Sequence, residues 1–317
     1  MRELPADFVE KRDEYIRIGT NILARFDIPP ELVVNADETS SLLAPRAKQT
    51  RFKKGAKRVR IVGVGHEKTQ LTVTLAITES GDVLPAQIIF GGKTNACHPN
   101  KGKSLPPPGI FYDHTDSHWQ SVASWKRWII NVLIPYKDKI INEFRLSHDQ
   151  KLLLKVDLHF THKDSEVMQL YKENNIIPLF VPAKCTDELQ ECDVALNSPF
   201  KVGLRAAFRN YLHDKFNEHV ESGAPAAEFK ASLSVGELKP HFPDFVLVGL
   251  AAIKTPVMKE TIKEVFAKDG CFEIMRHPDR IAAARARILL DEPEIFFNVL
   301  NLEEEEADVA AEVLAEI

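Results

Sequence analysis

Residues 151–157 read KLLLKVD and residues 31–37 read ELVVNAD. Each is a short apolar run closed by an aspartate. A run of this length with polar flanks reads as a strand buried on both faces. In open α/β sheets, ligands gather at the carboxyl ends of the strands. If these two strands are parallel neighbours, Asp37 and Asp157 stand side by side at that end. The run IIPLFVP (176–182) is a third strand of the same kind.

Outward from these runs, helical spacing of apolar residues predicts a helix over 1–28, stopped by Pro29-Pro30. RVRIVGVG (58–65), QLTVTLAIT (70–78) and VLPAQIIF (83–90) are rich in β-branched residues and predict an antiparallel meander. Glu79 to Asp82 form its hairpin turn. Residues 91–116 read as irregular, Ser117 to Lys139 as a helix and Ser165 to Asn174 as another. From about Ser198 the pattern is mostly helical. Strands that begin antiparallel and later return through helices predict an α/β fold. The expected architecture is a mixed sheet flanked by helices, with a mainly helical C-terminal extension. This order of elements is that of the ribonuclease H-like fold.

Composition narrows the classes. The chain has 317 residues, 44% hydrophobic and 27% charged, which excludes a disordered, collagenous or coiled-coil protein. No apolar stretch is long enough for a membrane span, and the N-terminus lacks an apolar signal core. Cys97, Cys185, Cys192 and Cys271 show no CxxC pair and read as reduced thiols in an intracellular setting. A zinc site built on Cys185 and Cys192 is disfavoured for the same reason.

Charge is unevenly spread. Residues 291–317 hold ten acids and no Lys or Arg, so the remainder carries a net charge of +5. Arg46, Lys48, Arg51, Lys53, Lys54, Lys57 and Arg58 belong to a run, ended by Arg60, without a single acid. Such a run reads as a phosphate-contacting patch or a nuclear-import signal, against the plainer reading of a solvated loop. The acidic end reads as a solvated tail or as a polyanion mimic.

A third acid, Asp193, follows the third buried run, with Asp187, Glu188 and Glu191 as competitors for its role. Converging carboxylates repel unless a cation neutralises them. Hard oxygen ligands select Mg²⁺ or Mn²⁺, and two ions about 4 Å apart can clamp a phosphodiester displacement. The plain alternative is that strand-end acids are solvated or cap the next helix. Glu38 faces the other side of its strand and is expected to pair with a Lys or Arg. In DHTDSH (113–118), His114 and His118 offer a metal site, but a polar loop capped by Ser117 is the favoured reading. Trp119, Trp125 and Trp128 read as core rather than as base-stacking platforms.

Three blocks, VVNADETS, VDLHFTH and VPAKCTDELQECDVALNSPFK, resemble the catalytic blocks of DDE superfamily endonucleases, in the pogo-like branch of the Tc/mariner-like transposases. That branch includes the domesticated centromere protein CENP-B and the jerky-like proteins. KKGAKRV, LTVTLAITESGDVLPAQIIFGGKT and His118-Trp119 are similar to it as well. The likeness runs from about residue 5 to about residue 220.

The resemblance implies a metal-dependent DNA endonuclease or strand-transferase, with Asp37, Asp157 and Asp193 as catalytic metal ligands for two Mg²⁺ or Mn²⁺ ions. It matches His162 to a helper that contacts DNA or orients a carboxylate; a helix N-terminal residue before Ser165 is the plainer reading. Gln190 matches a position of structural role. Glu191 stands where the family often has Pro, and Leu158 where many members have Asn or Gly. The implied division is a helical linker (1–30), a catalytic core (31–220), a helical region (221–300) and an acidic tail (301–317). DNA is the implied partner, the nucleus the implied location and a homodimer the candidate assembly. With 36 residues ahead of Asp37, the helix-turn-helix recognition domain of family transposases is expected to be absent. A domesticated, non-catalytic DNA- or protein-binding core is the alternative reading.

Overall fold

The computed structural model describes residues 4–42, 70–231 and 233–288. The basic run Arg46–Arg58, the expected strand 58–65 and the acidic tail lie outside these residues. Six strands form one mixed sheet in the order β4-β3-β2-β1-β5-β6. They are β1 (Val33–Leu42), β2 (Gln70–Thr78), β3 (Ala86–Gly91), β4 (Ile110–Thr115), β5 (Leu152–Val156) and β6 (Ile176–Phe180). β1, β2 and β3 pair antiparallel, whereas β1-β5, β5-β6 and β3-β4 pair parallel. Three antiparallel strands first, then β5 and β6 added in parallel beside β1 through helices, make this a ribonuclease H-like α/β fold.

The helices are α1 (Phe8–Phe26), α2 (Val122–Trp128), α3 (Ile134–Phe144), α4 (Phe160–Lys163), α5 (Ser165–Glu173), α6 (Thr186–Leu189) and α7 (Asn197–Glu221). A helical C-terminal region follows with α8 (Val235–Leu238), α9 (Phe242–Ile253), α10 (Pro256–Lys268), α11 (Phe272–Met275) and α12 (Pro278–Ile288).

All five residues of β5 are buried, as expected of a parallel strand covered on both faces. α2 packs through Trp125 and Trp128, whose rings stack at 4.5 Å. The Trp125 indole donates to Tyr171 Oη on α5 at 2.7 Å, tying the two helices together. α7 and α9 cross where Gly203 meets Gly249. A Cβ on Gly203 would lie 3.0 Å from the Gly249 Cα, so two glycines permit this close crossing.

Several expectations are corrected. β1 does not end at Asp37 but runs on to Leu42, because β2 pairs with it over that whole length. Val83 to Pro85 precede β3 rather than forming its start, since a proline has no N–H for the ladder. Residues 91–116 are not wholly irregular: 110–115 form β4, whose parallel pairing with β3 leaves little local signal. The helix after it begins at Val122, capped by Ser121 in a capping box, not at Ser117. Trp119 lies ahead of that helix and is exposed, so it is not core.

Candidate active site

The parallel register of β1 and β5 aligns Asn35 with Lys155. Two residues further along the chain come Asp37, within β1, and Asp157, one residue past the end of β5. Alternation along a strand puts residues i and i+2 on one face. Asn35 and Lys155 therefore form a layer directly beneath the two aspartates.

That layer is tightly bonded. Asn35 Nδ2 donates to the Lys155 carbonyl at 3.1 Å, and Asn35 Oδ1 accepts from the Cys192 N–H at 2.8 Å. Lys155 Nζ donates to Glu191 Oε1 at 2.7 Å, with both side chains fully buried. The Lys155 ammonium also lies over the Tyr15 and Phe272 rings, 5.2 and 5.7 Å from their centroids. These bonds pin residues 191–192 against β1 and β5. The π-helical turn Cys192–Leu196 then delivers Asp193. Glu191 thus does not compete for the third position or crowd it with an unpaired charge, because Lys155 partners it underneath.

Asn197 sits one helical turn beyond Asp193. Its Nδ2 donates to Asp37 Oδ2 and to Asp193 Oδ1, each at 2.9 Å. Burial holds the Asp37 carboxyl well above the usual carboxylate range, and the charges of Asp193, Glu38 and Asp157 push the same way against the Asn197 bond. Asp193 is raised too, by partial burial and by Asp187, and opposed by Asn197 and Lys201.

Asp157 behaves differently. His162 on α4 reaches its Oδ1 at 2.8 Å through Nδ1 and lies 3.4 Å from Glu38 Oε1 through Nε2. The His159 N–H adds a 3.1 Å bond to the same carboxylate. Burial works to raise the Asp157 pKa, but the bond and charge of His162 outweigh it and hold it low. Burial opposes the imidazolium as well, yet Asp157 and Glu38 raise the His162 pKa to about 10. The Trp125 ring lies 4.3 Å from the imidazole and covers it.

Glu38 therefore meets a histidine rather than the expected Lys or Arg. His162 is not a cap before Ser165: Asp164 does that, accepting from the Glu166 N–H at 2.9 Å. Asp37 and Asp193 are drawn together, while Asp157 is turned toward His162.

The His162 contact makes a pH prediction. A folded pKa of about 10 against an ordinary value near 6.5 means the stabilisation is complete below about pH 6.5 and lost as pH rises through 10. The depressed Asp157 contributes above about pH 4, and that part fades as pH falls through its folded value. In urea unfolding, the stability gap between the protein and His162→Gln should be widest between these limits and close by pH 10. A gap that persists unchanged at high pH would refute the ion-pair account.

Sequence reasoning missed Asn35, Asn197, Lys201 and Arg205. Asn197, Lys201 and Arg205 recur every four residues, which puts them along one side of α7. Burial lowers the Lys201 pKa while Asp37 and Asp193 raise it, so this cation sits beside the carboxylates. The spacing from Asp193 to Asn197 was the available signal, although i to i+4 polar pairs are common on any helix. Asn35 gave no signal, since an asparagine inside an apolar run reads as an imperfection. The pairs envisaged for zinc do not form: Cys185 Sγ faces the Ala183 carbonyl and Cys192 Sγ the Asn35 carbonyl.

Among the described residues, no helix is long and apolar enough to cross a membrane. The family model of the DDE superfamily endonucleases matches residues 68–266, well over half of the chain. The match covers Asp157, His162 and Asp193, extends past residue 220, and begins after Asp37. A human protein described as a pogo transposable element with ZNF domain is 24% identical over 224 residues, 71% of this chain. The chain spans 14% of that protein's length. Among solved structures, the Mos1 transposase paired-end complex with left transposon end covers 86% of this chain and 64% of its own, at 12% identity and a TM-score of 0.42. The catalytic domain of Mos1 mariner transposase covers 84% and 97%, at 15% identity and a TM-score of 0.38. Such scores express distant likeness, and the fold assignment above rests on strand order and register. The family assignment rests on the matched residues: this chain belongs to the DDE superfamily endonucleases.

Proposed function

We propose that this chain is the core of a divalent-metal-dependent DNA endonuclease or strand-transferase derived from a transposase, with Asp37, Asp157 and Asp193 as metal ligands. The observation that carries the reading is the junction of three chain segments. The parallel strands β1 and β5, paired up to Asn35 and Lys155, lead to Asp37 and Asp157 two residues later, and Asn197 binds Asp37 to Asp193.

The donor set fits Mg²⁺ or Mn²⁺. All three groups are carboxylates, hard oxygen donors that these ions prefer. The like-charge pressure that lifts Asp37 is what a cation would relieve. The Asn197 Oδ1 atom is buried without a hydrogen-bond partner, so the residue that bridges the two carboxylates still has an unused oxygen. Two ions held there would supply Lewis-acid activation of an attacking oxygen and stabilise the leaving oxygen of a phosphodiester.

The protein's own residues do the rest. Asn197 keeps Asp37 and Asp193 within reach of a common centre. His162 holds Asp157 ionised and fixes its direction. Lys201 and Arg205 extend from the carboxylates along α7 and are assigned to DNA phosphates, as are Arg46, Lys48, Arg51, Lys53, Lys54, Lys57 and Arg58. Work on DNA and the basic run support a nuclear location under this reading.

Calorimetric titration of Mn²⁺ into the protein, alone and with a short duplex, tests the proposal. Binding that Asp157→Asn abolishes, together with nicking of the duplex, is the expected result. If metal changes nothing even with DNA present, the catalytic reading falls and a domesticated, non-catalytic DNA- or protein-binding core takes its place. Asn197→Ala should weaken Mn²⁺ binding by roughly 10- to 100-fold, the usual cost of losing an orienting residue. Unchanged affinity in that variant would remove Asn197 from the site.

A further inference from the structure

A second cluster of ligand-type side chains lies away from the carboxylates, where the segment after β3 folds back on β4. Cys97 closes a 3-10 turn over Asn95–Cys97, His98 follows in extended backbone, and His114 stands on β4. One ligand atom from each lies within 4.8 Å of the other two.

The edge between the two histidines has the length of a tetrahedral site's edge. His98 Nε2 and His114 Nδ1 are 3.3 Å apart. With zinc–nitrogen bonds of about 2.0–2.1 Å, the nitrogen–nitrogen edge of a tetrahedron is about 3.3–3.4 Å.

The ligands are also held from behind. The backbone of His114 is fixed on both sides, its N–H by Asp113 Oδ1 at 2.7 Å and its carbonyl by Arg127 Nη2 at 2.8 Å. Gln87 Nε2 donates to the other Asp113 oxygen at 2.7 Å. Phe90 and Tyr112 pack on the His98 ring at 5.5 and 5.7 Å. Gly92 makes room for Cys97: a Cβ there would lie 2.6 Å from the Cys97 Cβ and 3.1 Å from its sulfur.

We propose that Cys97, His98 and His114 form a transition-metal site for Zn²⁺, with the fourth position open to water, that clips the segment between β3 and β4 onto the β4 edge. One thiolate and two imidazoles are borderline-soft donors that select Zn²⁺ over Mg²⁺. The site is thus chemically independent of the carboxylates. On binding, the Cys97 thiol releases its proton to solvent as the sulfur–metal bond forms, and no redox step is involved.

Co²⁺ serves as the spectroscopic probe, titrated into the reduced, chelator-treated chain. The expected result is a saturable spectrum of tetrahedral Co²⁺ with a thiolate charge-transfer band, erased by Zn²⁺ and untouched by Mg²⁺. Cys97→Ser should lose the charge-transfer band, and His114→Gln should weaken binding by about 100-fold or more. Asp157→Asn should leave the spectrum unchanged. A featureless octahedral spectrum, or a charge-transfer band that survives in Cys97→Ser, overturns the proposal and leaves a ring–ring hydrogen bond only. Should His114→Gln fail to fold, half-buried Cys97 still decides the matter, because serine there removes the band without altering the packed core.

Discussion

Asp157→Asn is expected to reduce metal-dependent nicking of duplex DNA by about 10³-fold or more while leaving the fold intact. Metal-borne charge stabilisation is worth several kcal/mol, and each 1.36 kcal/mol is tenfold in rate. Asparagine keeps the size of the side chain but gives up the charge, so the loss falls on the chemistry. Asp157 is about one-third exposed, and its bonds run to His162 and the His159 N–H. Global stability should therefore change little, apart from the pH-dependent share that the ion pair supplies. Asp37→Asn should lose activity to a similar degree and gain stability, since it removes a buried carboxyl under pressure from three neighbouring acids. Nicking kinetics and thermal melting on the same preparations separate the two effects. Equal activity in Asp157→Asn and the parent would remove this residue from the chemistry.

Lys155→Met is expected to cost roughly 3–5 kcal/mol of stability, because it strands Glu191 as a buried, unpaired acid. Glu191 is fully buried, and its second oxygen already lacks a hydrogen-bond partner. Burial raises its pKa even with Lys155 in place, so in the variant it should take up a proton on folding. The double variant Lys155→Met, Glu191→Leu should recover most of the loss, since replacing a whole buried pair with apolar groups is often neutral. Urea denaturation of the single and double variants forms the test. If the two single losses simply add in the double variant, the pair is not coupled as described. The double variant also asks what the pair does for the site. It removes the tether holding residue 191 under Asp193, so metal affinity should fall even where stability is regained.

This double role explains why Glu191 misleads in the sequence. Two residues from Asp193, it reads as extra negative charge near a ligand. The strand register places Lys155 under it, 36 residues away in the chain. The charge is matched in space by a residue that nothing local connects to it.

Other features were legible for physical reasons. Strands β5 and β6 are largely buried and read as apolar runs, broken in β5 only by Lys155. Helices α1, α5, α7, α9 and α10 each carry enough helical signal to be seen. β4 gives a weak signal because it is an edge strand whose burial does not alternate and which carries Asp113 and His114, and its parallel partner gives no hairpin signal. Trp119 was taken for core because its spacing continues the stripe of Trp125 and Trp128, but Ser121 starts the helix only after it.

By itself, the sequence determined the α/β class, the apolar runs that end in Asp37 and Asp157, and the family blocks. Apolar periodicity and local motifs are written in consecutive residues, so no partner is needed to read them. Only the tertiary structure decided which groups meet. It drew Asn197 to Asp37 and Asp193, turned Asp157 to His162, set Lys155 under Glu191 and gathered Cys97, His98 and His114. Each of those contacts depends on strand register or on a loop folding back, and register is a property of paired strands rather than of either one alone.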